Sequence, residues 1–246
     1  MKTKAFVRFL NRAAHFDADI ELVDVLNLAN RAGSLHSSTE RYLFKYVLPD
    51  KHPRLANRTN SDHSRQLAIT HLKATLCASF IKDIYEDLYA YLREILTAAA
   101  ENGLDPNRLI GEHKLALEGN DLLRAGTWQA VVQLVSDGLF RKLENLQDTK
   151  KLIEKFNDKL NLGVDSTKID AALPYFEIRH LLVHNDGLAD AKFCNQFTTF
   201  GATVGQRLTM DYETINSART AICALVTEYD EKVVANSVVP NSYLQP

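Results

Sequence analysis

One short segment, residues 175–187, concentrates side chains that could take part in a reaction. Arg179, His180 and His184 lie within six positions of one another in an apolar run that ends at an Asn-Asp-Gly turn signal. Arginine presents a permanently charged fork that pairs with phosphate oxygens in a bidentate manner. Histidine gains and loses its proton near neutral pH. Together, these residue types predict chemistry on a phosphate ester.

The spacing of these residues sets a geometric problem. On an ideal helix, Glu177, His180 and His184 fall within about 60° of one another, whereas Arg179 lies about 140° from His184. An ideal helix therefore does not pair the arginine directly with that histidine. The long arginine stem, unwinding at the turn, or the two-fold symmetry of a dimer could bring them together.

A metal site is the alternative interpretation of the same face. Glu177-x2-His180-x3-His184 offers three ligand types that transition metals accept. A complete site in a helical bundle needs ligands from facing helices, and the sequence has no second Glu-x-x-His, so we assign no metal and no cofactor. The helix expected over residues 64–101 carries three carboxylates that could complete such a metal site or orient the arginine, namely Asp83, Glu86 and Asp87.

The spacing Arg179-x4-His184, with the polar His180 directly after the arginine, resembles the signature of the HEPN superfamily (higher eukaryotes and prokaryotes nucleotide-binding). The flanking residues resemble it too, most closely in the MAE-like and RiboL-PSP-like group; they are Glu177 before the arginine and Asn185 and Asp186 after the histidine. The resemblance covers about residues 64–235 and leaves 1–60 unexplained.

This resemblance implies a metal-independent endoribonuclease in which the RNA 2′-hydroxyl attacks the adjacent phosphorus. Arg179 would hold the phosphate, His184 would be the general acid or base, and His180 would position the nucleophile. It also implies a homodimer with the site at its interface, and a toxin or phage-defence effector with an antitoxin or other protein partner. Some toxin members carry a modified tyrosine where this chain has Asp186, so that regulation is not expected. A non-catalytic RNA-binding or protein-interaction module is the alternative.

Composition limits how the chain can meet RNA. With 246 residues, 46% of them hydrophobic, it can bury a full core, and its net charge of −2 excludes nucleic-acid binding by bulk charge. Residues 51–73 are the best local basic patch, with Asp62 as the one interleaved acid; a plain solvated loop is the alternative. The RNA-binding residues predicted there are Lys51, Arg54, Arg58, Arg65 and Lys73.

Periodicity predicts an all-α chain that folds as an antiparallel helical bundle with an N-terminal helical extension. The resemblance implies that this bundle is HEPN-like. We expect two or three helices over 3–47, among them one starting at residues 37–40. Long helices are expected over 64–101, 127–159 with a break near Asp148, and 212–235 after an Asp211 cap. The first of them carries one continuous apolar stripe, expected to be buried from Leu72 through Phe80 and Leu88 to Ile95. The motif helix is expected to start either at the capping-box-like Ser166-Thr167-x-x-Asp170 or at Pro174. Trp128 is expected to be buried.

The predicted domains are the extension over 1–60, the bundle over 61–240 and a frayed tail over 241–246. No apolar run approaches the ~18 residues of a membrane span. The N-terminus is basic, and its apolar run is interrupted by Arg8, Asn11 and Arg12. It therefore does not resemble a signal peptide. A cytoplasmic protein is therefore the expectation.

Overall fold

The computed structural model describes residues 1–36, 41–111, 115, 117–144 and 149–245. Two short antiparallel strands join the chain ends in these ranges, β1 (Lys2–Thr3) and β2 (Leu244–Gln245). The helices are α1 (Lys4–Arg31), α2 (Pro53–Ala56), α3 (Asp62–Glu101), α4 (Pro106–Ile110), α5 (Gly119–Ala125), α6 (Trp128–Glu144), α7 (Thr149–Leu160), α8 (Ser166–His184), α9 (Ala191–Gln196) and α10 (Tyr212–Ala235). The all-α prediction is confirmed. Within the described ranges, none of these helices combines the length and apolar character that a membrane crossing needs.

The central element is α3, which contacts α1, α6, α8 and α10. Ser61 caps its first turn by accepting a hydrogen bond from the Ser64 N–H. Its apolar stripe is buried as predicted through Phe80, Leu88 and Ile95, and burying one such side chain stabilises the fold by roughly 1.5–3 kcal/mol. The stripe begins later than expected, because Leu72 is 43% exposed.

The N-terminal region forms one helix of 28 residues where the sequence predicts two or three. Phe6 and Phe9 lie in the same hydrophobic core as the α3 stripe. Ion pairs fix α1 antiparallel to α3, since early α1 residues meet late α3 residues; they are Arg8–Glu94, Arg12–Asp87 and Asp24–Lys73. The helix expected to start at 37–40 falls outside the described residues.

The second long helix is divided into α6, which ends at Glu144, and α7, which begins at Thr149. The break was predicted near Asp148, which lies between these two helices in the sequence and outside the described residues. The prediction that Trp128 is buried is wrong, because its side chain is 75% exposed. Trp128 is the first residue of α6, and the buried face of this helix begins only at Val132.

The motif helix α8 begins at Ser166, the first residue of the capping-box-like pattern, and not at the alternative start Pro174, which lies eight residues later. Asp165 is its N-cap and accepts a hydrogen bond from the Thr167 N–H at 2.9 Å. Pro174 therefore lies inside the helix, where it removes one backbone donor. Two additional turns anchor the motif, because Ile169 and Ala172 in that first part are buried in the core.

The last helix, α10, matches its predicted bounds, and the tail does not match its prediction. The tail was expected to fray, but β2 pairs with β1, with Leu244 opposite Thr3. Val239 is buried just before this strand. Asn102 at the end of α3 also donates to the carbonyl oxygens of residues 237 and 238. The β1–β2 pairing thus joins the two ends of the chain, and the Asn102 side chain holds the C-terminal end on α3.

Replacing Asp211 with alanine is expected to lower the free energy of unfolding by about 1 kcal/mol at neutral pH. Its carboxylate caps α10 by accepting from the Thr214 N–H at 2.9 Å, and this bond lowers the pKa of Asp211 from its ordinary 3.8. A lowered pKa gives stability above the ordinary value that is lost as pH falls through the folded value. The cost of the alanine should therefore shrink in acid.

Urea unfolding of Asp211→Ala and Asp211→Asn at neutral and acidic pH measures this effect. Asparagine also caps helices, so Asp211→Asn should keep most of the stability at neutral pH. An alanine variant as stable as the wild type at neutral pH would contradict the capping role of Asp211.

Candidate functional site

The α8 helix borders a cavity of about 470 Å³, called here the α8 cavity. Helices α3, α6, α7 and α9 form the other walls. The lining residues are Tyr85, Tyr89, Leu143, Thr149, Leu152, Phe176, Glu177, Arg179, His180, His184 and Lys192. The three residues predicted to be catalytic thus lie around one space, although they are spread around the helix.

The Arg179 side chain is held by two residues of α3. Its Nη2 atom donates to Oε1 of Glu86 at 2.8 Å, and its Cζ atom lies 4.5 Å from the centre of the Tyr85 ring. A guanidinium above an aromatic face gains a cation–π attraction. The Nε atom is buried and has no hydrogen-bond partner among the described residues. Glu86 and Tyr85 therefore fix the plane of the arginine at the wall of the cavity.

The two histidines lie one helical turn apart and face each other. The ring centroids of His180 and His184 are 4.7 Å apart, with 46° between the ring planes. Both side chains are exposed to solvent. Exposed imidazoles can exchange protons with water or a bound substrate, as a general acid and a general base require. Each of them borders the same cavity as Arg179.

The acidic residues predicted near the motif bind different partners in the structure. The Glu177 carboxylate lies 3.5 Å from the Lys192 ammonium, Glu86 binds Arg179, and Asp87 points to α1, where it binds Arg12. Burial and the neighbouring carboxylates raise the pKa of Asp83. Among the described residues, no three His, Cys, Asp or Glu side chains are grouped so as to hold a metal ion.

The predicted supporting residues Asn185 and Asp186 shape the end of α8 and do not line the cavity. The Asn185 side-chain amide donates to the Leu188 carbonyl at 2.7 Å. Asp186 and Gly187 both have positive φ, of 51° and 74°. A Cβ atom on Gly187 would come within 3.3 Å of the Leu182 side chain, so this turn favours glycine.

Sequence reasoning missed the hydroxyl groups of the cavity wall. The Tyr85 hydroxyl donates to the Tyr89 hydroxyl at 2.6 Å and lies 3.2 Å from the Thr149 hydroxyl. The i, i+4 spacing of the two tyrosines beside Glu86 was the available signal. Lys192 was missed too, because it follows the motif on a separate helix and only the fold brings it to Glu177.

The predicted RNA-binding patch is divided by burial. Residues 41–61, called here the connector, lead into α3 and carry three exposed residues of the patch, Lys51, Arg54 and Arg58. Arg65 is only 5% exposed, which removes it from the patch. Its guanidinium is used inside the protein, where it donates to the Leu43 carbonyl, the Asn60 side chain and Asp62.

Lys73 is also engaged, since its ammonium lies 3.9 Å from the Asp24 carboxylate of α1. The exposed basic residues are far from the candidate catalytic groups. Asp62 begins α3, and Glu86 follows 24 positions later on the same helix, which corresponds to about 36 Å at 1.5 Å per residue. The structure therefore does not bring the basic connector and the α8 cavity together.

Comparison with known proteins found no match for this chain among family models, curated proteins or solved structures. The function is therefore inferred from the chemistry of the α8 cavity and from the residues of its motif.

Proposed function

We propose that the protein is a metal-independent endoribonuclease of HEPN type, with the α8 cavity as its active site. The observation that supports this most strongly is that Arg179, His180 and His184 line one solvent-accessible cavity. This set supplies a phosphate-binding cation, a proton-transfer group and a second histidine that can position the nucleophile, which suits RNA cleavage by its own 2′-hydroxyl.

In the proposed reaction, Arg179 binds the scissile phosphate and stabilises the charge that develops on its oxygens. The 2′-oxygen passes its proton to His184 and attacks phosphorus, and the bond from phosphorus to the 5′-oxygen breaks as this oxygen takes a proton from water. The products are a 2′,3′-cyclic phosphate and a 5′-hydroxyl end. His184 is the proton-transfer group, His180 positions the nucleophile beside it, and Glu86 orients the arginine through its 2.8 Å bond.

The proposed assembly is a homodimer whose two motifs border one cleft, because both histidines are open to solvent on one copy. A cytoplasmic toxin or phage-defence effector, held inactive by an antitoxin, is the biological role that such an RNA-cleaving enzyme would have. A protein partner covering the exposed histidines would block access of RNA to the α8 cavity.

A second candidate function is a non-catalytic module that binds RNA or a protein. One observation favours it: Arg179 is already paired with Glu86 and stacked on Tyr85, so the arginine also serves to join α8 to α3. In that case, removing the Arg179 side chain would loosen the packing of α8 against α3, and the wild type would not cleave RNA.

Incubation of total RNA and tRNA with the protein in excess EDTA tests the two functions. We expect the wild type to cleave and to leave cyclic-phosphate ends, and Arg179→Ala and His184→Ala to lose at least about 100-fold in rate. His71→Ala is the matched control, since His71 is exposed on α3 outside the cavity lining.

Failure of the wild type to cleave any RNA would contradict the nuclease and favour the interaction module. Cleavage that disappears with EDTA would instead indicate a metal-dependent reaction. Cleavage that survives in both cavity variants would point to a contaminating nuclease or to a different site.

A further inference from the structure

An apolar groove lies at the N-terminal end of α3, away from the α8 cavity. It has a volume of about 420 Å³ and is called here the α3 groove. The end of α1, the connector and the first turns of α3 form its walls, with apolar side chains from Leu26, Phe44, Leu55, Ile69 and Leu72. Tyr46 on its edge is 91% exposed and has a φ of 65°, which is uncommon for an aromatic residue.

The rim of the α3 groove is basic. Residues 41–58 contain five Lys or Arg and one Asp, although the whole chain has a net charge of −2. Lys45 lines the groove, and Arg54 precedes the lining residue Leu55. An apolar centre with a cationic rim complements an apolar side-chain cluster with acidic neighbours.

Such a cluster is exposed elsewhere on this chain. Leu123 of α5 is 85% exposed, and Trp128 at the start of α6 is 75% exposed. The same segment carries two exposed acidic residues, Glu118 and Asp121, and one exposed basic residue, Arg124. Leu123 and Trp128 are called here the α5–α6 knob. Large exposed apolar side chains of this kind mark interaction sites.

We propose that the α5–α6 knob of one copy of this protein occupies the α3 groove of a second copy. Trp128 and Leu123 enter the apolar groove, and Glu118 and Asp121 face its basic rim. This association goes beyond the proposed nuclease activity and holds whether or not the α8 cavity cleaves RNA.

The two surfaces lie at opposite ends of α3, so one copy cannot fill its own groove. Helix α6 runs antiparallel to α3, since Phe140 packs against Tyr89 and Asp137 lies 4.0 Å from Arg93 further along α3. Trp128, at the start of α6, therefore lies toward the C-terminal end of α3. A knob-in-groove contact closes twice in an antiparallel dimer or continues into a chain of copies.

Sedimentation velocity over a wide range of protein concentrations tests this association. We expect the wild type to self-associate, and Leu72→Glu in the groove or Trp128→Asp in the knob to weaken it at least about 30-fold, as for an interface hot spot. Both side chains are substantially exposed, so both variants should fold. Val204→Asp is the control, because Val204 is exposed outside both surfaces.

Mixing the two defective variants gives the decisive result. Leu72→Glu keeps an intact knob and Trp128→Asp keeps an intact groove, so an equimolar mixture should recover a heterodimer that neither variant forms alone. Fluorescent labelling of one variant identifies the heterodimer in the sedimentation profile.

Three results would overturn the proposal: a wild type that is monomeric at every concentration, association that both variants retain, or a mixture that does not recover. Binding of a labelled oligoribonucleotide that is lost in Arg54→Glu, without any self-association, would assign the rim to RNA instead. A monomeric wild type would also exclude the homodimer of the proposed nuclease. The variant and mixing results test the knob and the groove alone, and cleavage is measured separately.

Discussion

Replacing Arg179 with lysine is expected to lower the rate of RNA cleavage by about 100-fold, even though the positive charge is kept. In the structure, the guanidinium donates to Glu86 and lies over the Tyr85 ring. A planar fork can hold this carboxylate and offer other N–H groups to a phosphate, whereas a lysine ammonium is a compact point charge on a flexible stem. Lysine should therefore bind RNA but stabilise the transition state poorly.

Initial rates on a labelled oligoribonucleotide, measured in EDTA with the protein in excess, test this expectation. Arg31→Lys at the exposed end of α1 is the matched control and should cleave at the wild-type rate. The circular dichroism spectrum must be unchanged in both variants. If Arg179→Lys cleaves as fast as the wild type, the bidentate fork has no role and Arg179 acts only as a charge.

Sequence reasoning was most successful for the elements whose pattern is local. The bounds of α3 and α10 follow from a continuous apolar stripe and from side-chain caps at Ser61 and Asp211. In α1 the same method predicted breaks, because polar residues interrupt the pattern. Several of them, including Arg12 and Asp17, form ion pairs with other helices, so long-range contacts complete what the local pattern lacks.

The starting point of α8 shows a conflict between two local signals. The capping-box-like pattern indicated a start at Ser166. Proline is favoured in the first turn of a helix, which indicated a start at Pro174 instead. The Asp165 cap and the buried residues Ile169 and Ala172 extend the helix upstream, and their packing outweighs the loss of one backbone hydrogen bond at the proline.

The candidate site was predictable in its residue types and not in its geometry. A helical wheel separates Arg179 from His184 by about 140°, yet both line the α8 cavity. The reason is that α3 and α7 close around α8, so that side chains leaving the helix in different directions border one space. Their position, and with it the contributions of Tyr85, Thr149 and Lys192, depends on tertiary packing that the motif does not encode.

Replacing Asp230 with alanine is expected to lower the free energy of unfolding by about 3 kcal/mol. Asp230 is only 2% exposed, and its carboxylate accepts hydrogen bonds from the Thr3 N–H, the Thr3 hydroxyl and the Tyr91 hydroxyl. Thr3 in turn caps α1 by accepting from the Phe6 N–H. Alanine would leave these buried donors without an acceptor and release the N-terminus of α1 from α10.

The charge of Asp230 adds a pH dependence of known sign. Burial raises the pKa of Asp230, against the opposing effect of its bonds from Thr3 and Tyr91. With a raised pKa, the stability from this group is fully present below the ordinary value of 3.8 and is lost as pH rises through the folded value. Asp230→Asn cannot titrate, so its stability should lack this dependence.

Urea unfolding of Asp230→Ala, Asp230→Asn and the control Glu231→Ala measures both effects. Asparagine keeps one acceptor oxygen and should cost less than alanine, and its deficit relative to the wild type should be larger in acid than at neutral pH. Glu231 is exposed beside Asp230, so its loss should change stability by less than about 0.5 kcal/mol. If Asp230→Ala were as stable as Glu231→Ala, the buried carboxylate would not be what joins the N-terminus to α10. The pairing of β1 with β2 and the packing of Phe6 and Phe9 would then hold it.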